Sequence, residues 1–144
     1  MFEVQAHHQS ITIVSMDIHT YSKNSDVEVM IYTKSGSFWG FETSADGWTK
    51  ICDTTVQGLG TPNPTPIPAS AIQEVTIQPG DMQSFYVTLT QATIRYTNGH
   101  DLHTVGDEYI TFEDSVGVTY PFASIHKDRV WNGQIHYRTA AVQS

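Results

Sequence analysis

A chain of 144 residues with a formal net charge of −8 is long enough for one well-packed domain, but its charge disfavours nucleic-acid binding, which needs clustered Lys and Arg. Its seven scattered basic residues argue against an anionic membrane surface as well, and no apolar run reaches the ~20 residues of a membrane span. Because Cys52 is the only cysteine, an intrachain disulfide and a cysteine-based zinc site are both excluded.

Short runs of β-branched and aromatic residues recur along the chain and predict extended strands. Apolar and polar residues alternate most clearly in residues 27–32 and 75–78, which predicts strands with one face toward a core and one toward water. We therefore expect an all-β fold, an antiparallel, jelly-roll-like β-sandwich of about 8–9 strands in a single domain over residues 1–144. In chain order, the predicted strands are 2–6, 11–19, 27–33, 48–56, 72–78, 84–90, 93–96, 108–112 and 130–137.

Residues 58–70 break this pattern, because four prolines alternate there with other residues. Proline fixes φ and has no amide hydrogen to donate, so the segment cannot form a central strand. It is predicted to be an extended crossover loop between sheets or along an edge. Its composition also resembles that of an O-glycosylation target, with Thr61, Thr65 and Ser70 as the candidate hydroxyls.

Histidines suggest a metal site after the Asn98-Gly99 turn, where His100, His103 and Glu108 follow in sequence. Two imidazoles and a carboxylate can hold a metal on a β-barrel, and the first motif of the cupin family has His-x-His followed by Glu. Here the spacing is His-x-x-His, which on a strand sends the two rings to opposite faces. A cupin-like metalloenzyme would also need His126 as a ligand, so loop histidines are the simpler interpretation.

Calcium is a further cofactor hypothesis, because loop carboxylates are ligands that this hard cation prefers. The sequence lacks an Asp-x-Asp-x-Asp-Gly loop, and a solvated acidic face remains the alternative. The candidate ligands are Asp101, Asp107, Glu108, Glu113 and Asp114.

Aromatic residues provide the second functional indication. Exposed aromatic rings stack on sugars, so Phe38, Trp39, Phe41 and Tyr120 are candidates for ligand or partner contact. Trp39 leads this group because glycine follows it in a loop. Trp48 and Trp131, in strand-like runs, are expected to pack in the core.

Two stretches, residues 27–42 leading to Trp48 and residues 129–137, resemble a β-sandwich module of secreted, often multidomain surface proteins of diatoms and other marine microbes. With residues 1–6 and 16–19, the resemblance covers nearly the whole chain. It implies an extracellular or cell-surface location and an adhesion, matrix or fibre-building role, and it supplies no catalytic residues.

The sequence thus favours a non-catalytic extracellular structural or adhesion module that acts through protein–protein association. Self-association into a homo-oligomer, filament or matrix is one form of that hypothesis. Nucleophilic catalysis lacks support, since no Gly-x-Ser-x-Gly motif is present. A carbohydrate-binding module that uses the exposed aromatics and the cupin-like metalloenzyme remain as alternatives.

Overall fold

The computed structural model describes residues 1–61, 63–91, 93–94, 96–98, 108–127, 129–131 and 133–139. Nearly all regular structure in these residues is β-strand, with one 3-10 turn at Ala69–Ala71. The strands are β1 Phe2–Ala6, β2 Ile11–Ile18, β3 Lys23–Ser35, β4 Thr49–Leu59, β5 Thr65–Pro66, β6 Val75–Ile77, β7 Met82–Leu89, β8 Tyr96–Asn98, β9 Ile110–Ser115, β10 Gly117–Val118, β11 Ile125–His126, β12 Arg129–Trp131 and β13 Gln134–Thr139.

Two antiparallel sheets pack face to face, which confirms the predicted all-β sandwich. The first sheet has the strand order β4-β3-β7-β1-β9. In the second, β2 pairs with β13 on one side and with the short strands β5 and β6 on the other. Apart from the β3–β4 hairpin, strands that are neighbours in the first sheet are distant in sequence, so the topology is not a simple meander.

The main core lies between the two sheets and follows the alternation that the sequence predicts. In β3, Val27, Val29 and Ile31 point into this core, while Glu28 between them is exposed. Trp131 packs against the core as expected, with its ring stacked on Phe2 at a centroid distance of 4.2 Å.

Cys52 is one of these core residues, in agreement with its interpretation as a small buried side chain. Burial raises the pKa of its thiol to about 11, so the reactive thiolate is scarce at neutral pH.

A second apolar cluster covers part of the opposite face of the first sheet, here called the outer face. The sequence pattern predicted that this face would be exposed to water, but Met1, loop residues and the short strand β10 cover it. Alternate residues of β7 consequently point into two different cores. The second cluster contains Met1, Phe38, Tyr86, Val116, Val118 and Phe122, with Tyr32 and Trp48 packed against it.

The proline-rich segment crosses from one sheet to the other, as predicted, because β4 belongs to the first sheet and β5 to the second. Thr65 is only 1% exposed, and its hydroxyl oxygen accepts the Leu59 N–H at 3.1 Å. The expectation of a glycan at Thr65 is therefore corrected, because the folded chain has no room for one there. Ser70 is exposed and Thr61 half-buried, so glycosylation at these two residues stays a prediction.

Among the residues that the structure describes, no helix is long and apolar enough to cross a membrane.

Candidate binding surface

Residues 36–48, here called the aromatic loop, join β3 to β4 and pass over the outer face of the first sheet. Gly36 and Gly40 have φ values of 79° and 92°, a left-handed conformation that glycine adopts without strain. These two glycines allow the loop to turn back on itself, so that Phe38 and Trp39 contact strands that are remote in sequence, β1 and β9.

Glu3 of β1 anchors the first part of the loop. Its carboxylate is buried and accepts hydrogen bonds from the Ser37 hydroxyl and, at 3.3 Å, from the Phe38 N–H. Asp114 of β9 lies close enough to influence the pKa of this carboxylate. Burial raises the pKa of Glu3, although the Ser37 and Phe38 donors oppose the shift.

The β1–β9 pairing is irregular beside Glu3. Phe2 pairs with Ser115, but Val4 pairs with Phe112, so two residues of β9 lie opposite Glu3. Such a bulge leaves a residue outside the regular ladder, and here it places Asp114 near the Glu3 carboxylate. Glu3 therefore joins β1 to the aromatic loop beside this bulge.

Asp114 of β9 fixes the position of Trp39. Its indole Nε1–H donates to Asp114 Oδ2 at 2.8 Å, while 44% of the residue is exposed. Because its one polar group already has a partner, the exposed remainder of the ring offers an apolar surface. Phe38, predicted as a contact residue, is fully buried beneath it, with ring centroids 4.7 Å apart, and that prediction is wrong.

Phe41, 43% exposed, is the second ring of this surface. The Lys34 ammonium lies 4.2 Å from its ring centroid and also donates to the Ser37 carbonyl. The Phe41 carbonyl accepts the Trp48 indole N–H at 3.0 Å, which holds the loop against the second cluster. Trp39, Phe41, Lys34 and Asp114 together are called the binding surface below.

Tyr120, the remaining aromatic candidate, lies apart from this group, in the turn between β10 and β11. It borders a cleft that His126 also lines. His126 Nε2 is 2.9 Å from the Thr119 hydroxyl, so the ring is held beside that turn. The structure thus joins Trp39 with Phe41, but places Tyr120 with His126.

The predicted metal ligands are only partly within the described residues. His100 and His103 lie outside them, as do Asp101 and Asp107. Glu108 and His126 are exposed, and no cluster of three or more candidate metal ligands occurs in the described part of the chain. The metal and calcium hypotheses therefore stay predictions.

Two polar groupings of the structure were not anticipated from sequence. Glu3 occupies an alternate position of β1 that predicts a solvated side chain, and only the aromatic loop above it makes it buried. His7 bonds the Thr111 hydroxyl through Nε2 and the Glu108 carbonyl through Nδ1, at 2.9 Å for the latter. The His7 contacts fasten β1 to the start of β9, and no sequence motif marks them.

A scan against protein-family models, a search of curated proteins and a search of solved structures each returned no match to this chain. The binding surface presents two half-exposed aromatic rings, an ammonium and a carboxylate, all held by contacts within the fold. Such groups can bind another molecule through ring faces and hydrogen bonds.

Proposed function

We propose that this chain is a non-catalytic structural or adhesion module of a cell-surface or extracellular assembly, and that it works by associating with further copies of itself. The observation that carries the proposal is the pair of exposed rings, Trp39 and Phe41, on a loop whose conformation is already fixed. Aromatic side chains dominate the binding energy of protein interfaces. A preorganised loop loses little conformational entropy when it binds.

The other end of the outer face offers a complementary surface for a second copy. Asp26 and Glu28, near the start of β3, are exposed and negative, whereas Lys34, near its end, carries the positive charge of the binding surface. A contact between two different patches of one chain is heterologous, and repeated heterologous contacts build filaments unless they close into a ring. This geometry supports the filament form of the proposal.

The edge of the first sheet adds a second means of association. Within the described residues, β4 pairs along its length with β3. Its other backbone contacts lie toward its two ends, at the Cys52–Ile72 bridge, the Gln73 N–H bond to the Ile51 carbonyl and the Leu59 N–H bond to the Thr65 hydroxyl. Residues 53–57 consequently present an edge to which an incoming strand can add.

Removing both exposed rings tests the proposal. In the double variant Trp39→Ala/Phe41→Ala, we expect the self-association constant to fall about 30-fold or more, as for the loss of an interface hot spot. Light scattering coupled to sizing chromatography, over a wide range of protein concentration, measures the constant, and negative-stain electron microscopy shows whether filaments are present.

Tyr21→Ala is the matched control, because Tyr21 is 61% exposed but lies outside the aromatic loop. It should leave the association constant unchanged. A wild-type protein that stays monomeric at the highest concentration contradicts the proposal, and so does a double variant that assembles like the wild type.

Carbohydrate binding is the second candidate, favoured by the way Asp114 holds the indole of Trp39. A fixed half-exposed ring can stack on a pyranose, while Asp114 and Lys34 beside it can bind hydroxyls. We expect glycan-array signals from the wild type that Trp39→Ala abolishes and Trp39→Phe retains in part. Absence of signal from the wild type would eliminate this candidate, and equal signals from all three proteins would place the glycan elsewhere.

A further inference from the structure

A cleft of about 260 Å³ opens on the outer face of the first sheet, between the end of β7 and the β10–β11 hairpin. It lies outside the binding surface and shares no residue with it. Pockets for drug-sized ligands usually measure about 300–1,000 Å³, so this cleft suits a smaller molecule. We call it the hydroxyl cleft, after its polar lining residues Thr88, Thr90, Gln91, Thr119, Tyr120 and His126.

The apolar part of the lining comes from both sides of the cleft. Val118, a buried residue of the second cluster, forms its deeper part, and Ile94 adds a half-buried aliphatic side chain. Leu89 borders the cleft at the end of β7, but its side chain belongs to the main core. The hydroxyl, amide and imidazole groups stand around these residues. A ligand that enters therefore meets aliphatic surface in one direction and hydrogen-bonding groups in the others.

Hydrogen bonds fix the hairpin that forms one wall. The Tyr86 hydroxyl donates to the Val118 carbonyl at 3.0 Å and accepts the Phe122 N–H at 3.4 Å. Within the turn, the Thr119 N–H donates to the Ser124 carbonyl at 2.9 Å. These hydrogen bonds lie within the chain, so the fold itself holds the hairpin wall in place.

We propose that the hydroxyl cleft binds one pyranose unit of a neutral glycan. A pyranose has an apolar face of C–H groups, which suits Val118 and Ile94, and a rim of hydroxyls that both donate and accept. A threonine hydroxyl can donate and accept hydrogen bonds, and so can the two ring nitrogens of an imidazole. Thr119 and His126 can therefore donate a hydrogen bond to a sugar hydroxyl or accept one from it. The proposal does not depend on self-association, because none of these groups belongs to the binding surface.

Nuclear magnetic resonance titration with methyl α-D-glucopyranoside, methyl α-D-galactopyranoside and methyl α-D-mannopyranoside tests the proposal. We expect at least one of the three to shift the backbone amide signals of residues 88–91 and 118–120. Sorbitol, a linear polyol without a ring face, should bind at least several-fold more weakly than that pyranoside.

Thr119→Val removes one wall hydroxyl and should weaken pyranoside binding about tenfold, since an unpaired sugar hydroxyl is then left in the cleft. Thr90→Val, on the opposite wall, is a second variant that leaves the Thr119–His126 contact intact and should also weaken binding. Thr76→Val on β6 is the matched control, because Thr76 is an exposed threonine of the second sheet, and it should bind like the wild type.

The proposal is overturned if none of the three pyranosides shifts these signals, or if the shifted signals lie outside residues 88–94 and 118–126. Equal binding of sorbitol would also overturn it. So would unchanged affinity in both Thr119→Val and Thr90→Val, provided that their spectra show folded proteins.

Discussion

Tyr86→Ala is expected to lower the free energy of unfolding by about 3–5 kcal/mol, which is the usual loss when a large buried aromatic side chain is truncated. Tyr86 is fully buried at the centre of the second cluster, and Phe122 packs against it with ring centroids 4.7 Å apart. Its hydroxyl also holds the hairpin through Val118. The variant therefore loses both the ring packing and the hydrogen bond to the hairpin. Urea denaturation measures the change in the free energy of unfolding.

Tyr86→Phe separates these two contributions. It keeps the ring but leaves the Val118 carbonyl and the Phe122 N–H without their partner, so we expect a loss of about 1–3 kcal/mol. If Tyr86→Ala is no less stable than Tyr86→Phe, the second cluster does not stabilise the fold. The Tyr86→Ala variant should also lose pyranoside binding, because the hairpin wall of the hydroxyl cleft is no longer held in place.

Glu3→Ala is the second large expected effect, because one buried carboxylate serves two donors of the aromatic loop. Removing it leaves the Ser37 hydroxyl and the Phe38 N–H without this acceptor, which should cost about 2–3 kcal/mol of stability. Amide hydrogen exchange should accelerate in residues 37–40, since the aromatic loop loses its anchor. Gln5→Ala, on the same strand but bonded to Gly80, is the control that should leave exchange in the loop unchanged.

Comparison with Glu3→Gln gives the pH dependence of this anchor. Burial raises the pKa of Glu3 in the folded protein, so the native state binds more protons than the unfolded state between the ordinary glutamate value, about 4.3, and the raised value. The contribution of Glu3 ionisation to the free energy of unfolding is fully present below that pH interval and is lost as the pH rises through it. Wild-type stability relative to Glu3→Gln should therefore decrease with rising pH, and a difference that increases instead would contradict this assignment.

Much of the sandwich could be predicted from residue periodicity. Predicted strand 2–6 coincides with β1, and the inward residues Val27, Val29 and Ile31 follow from alternation. The same reasoning underestimated the long hairpin of β3 and β4, which extends to Lys23 and Leu59. Polar residues at those ends weaken the strand pattern, although the backbone continues to pair.

The second cluster and the binding surface could be predicted only in part. Exposure of Trp39 was expected from its glycine-flanked loop, but the same loop gave no sign that Phe38 would be buried below it. Irregular segments lack a fixed side-chain period, so their inward residues are set by distant partners such as Glu3 and Asp114. Thr65 also could not be predicted as buried from the sequence, because its hydroxyl turns inward to accept the Leu59 N–H across the crossover.

The position of β1 between β7 and β9 has a consequence for how the chain reaches its fold. The Met1 and Val116 backbones are joined by hydrogen bonds although the residues are 115 positions apart. Contacts of such long sequence separation slow folding, because a large loop must close before they form. During synthesis, β1 therefore emerges well before both of its neighbours, and its apolar residues must wait for the later strands or be shielded by a chaperone.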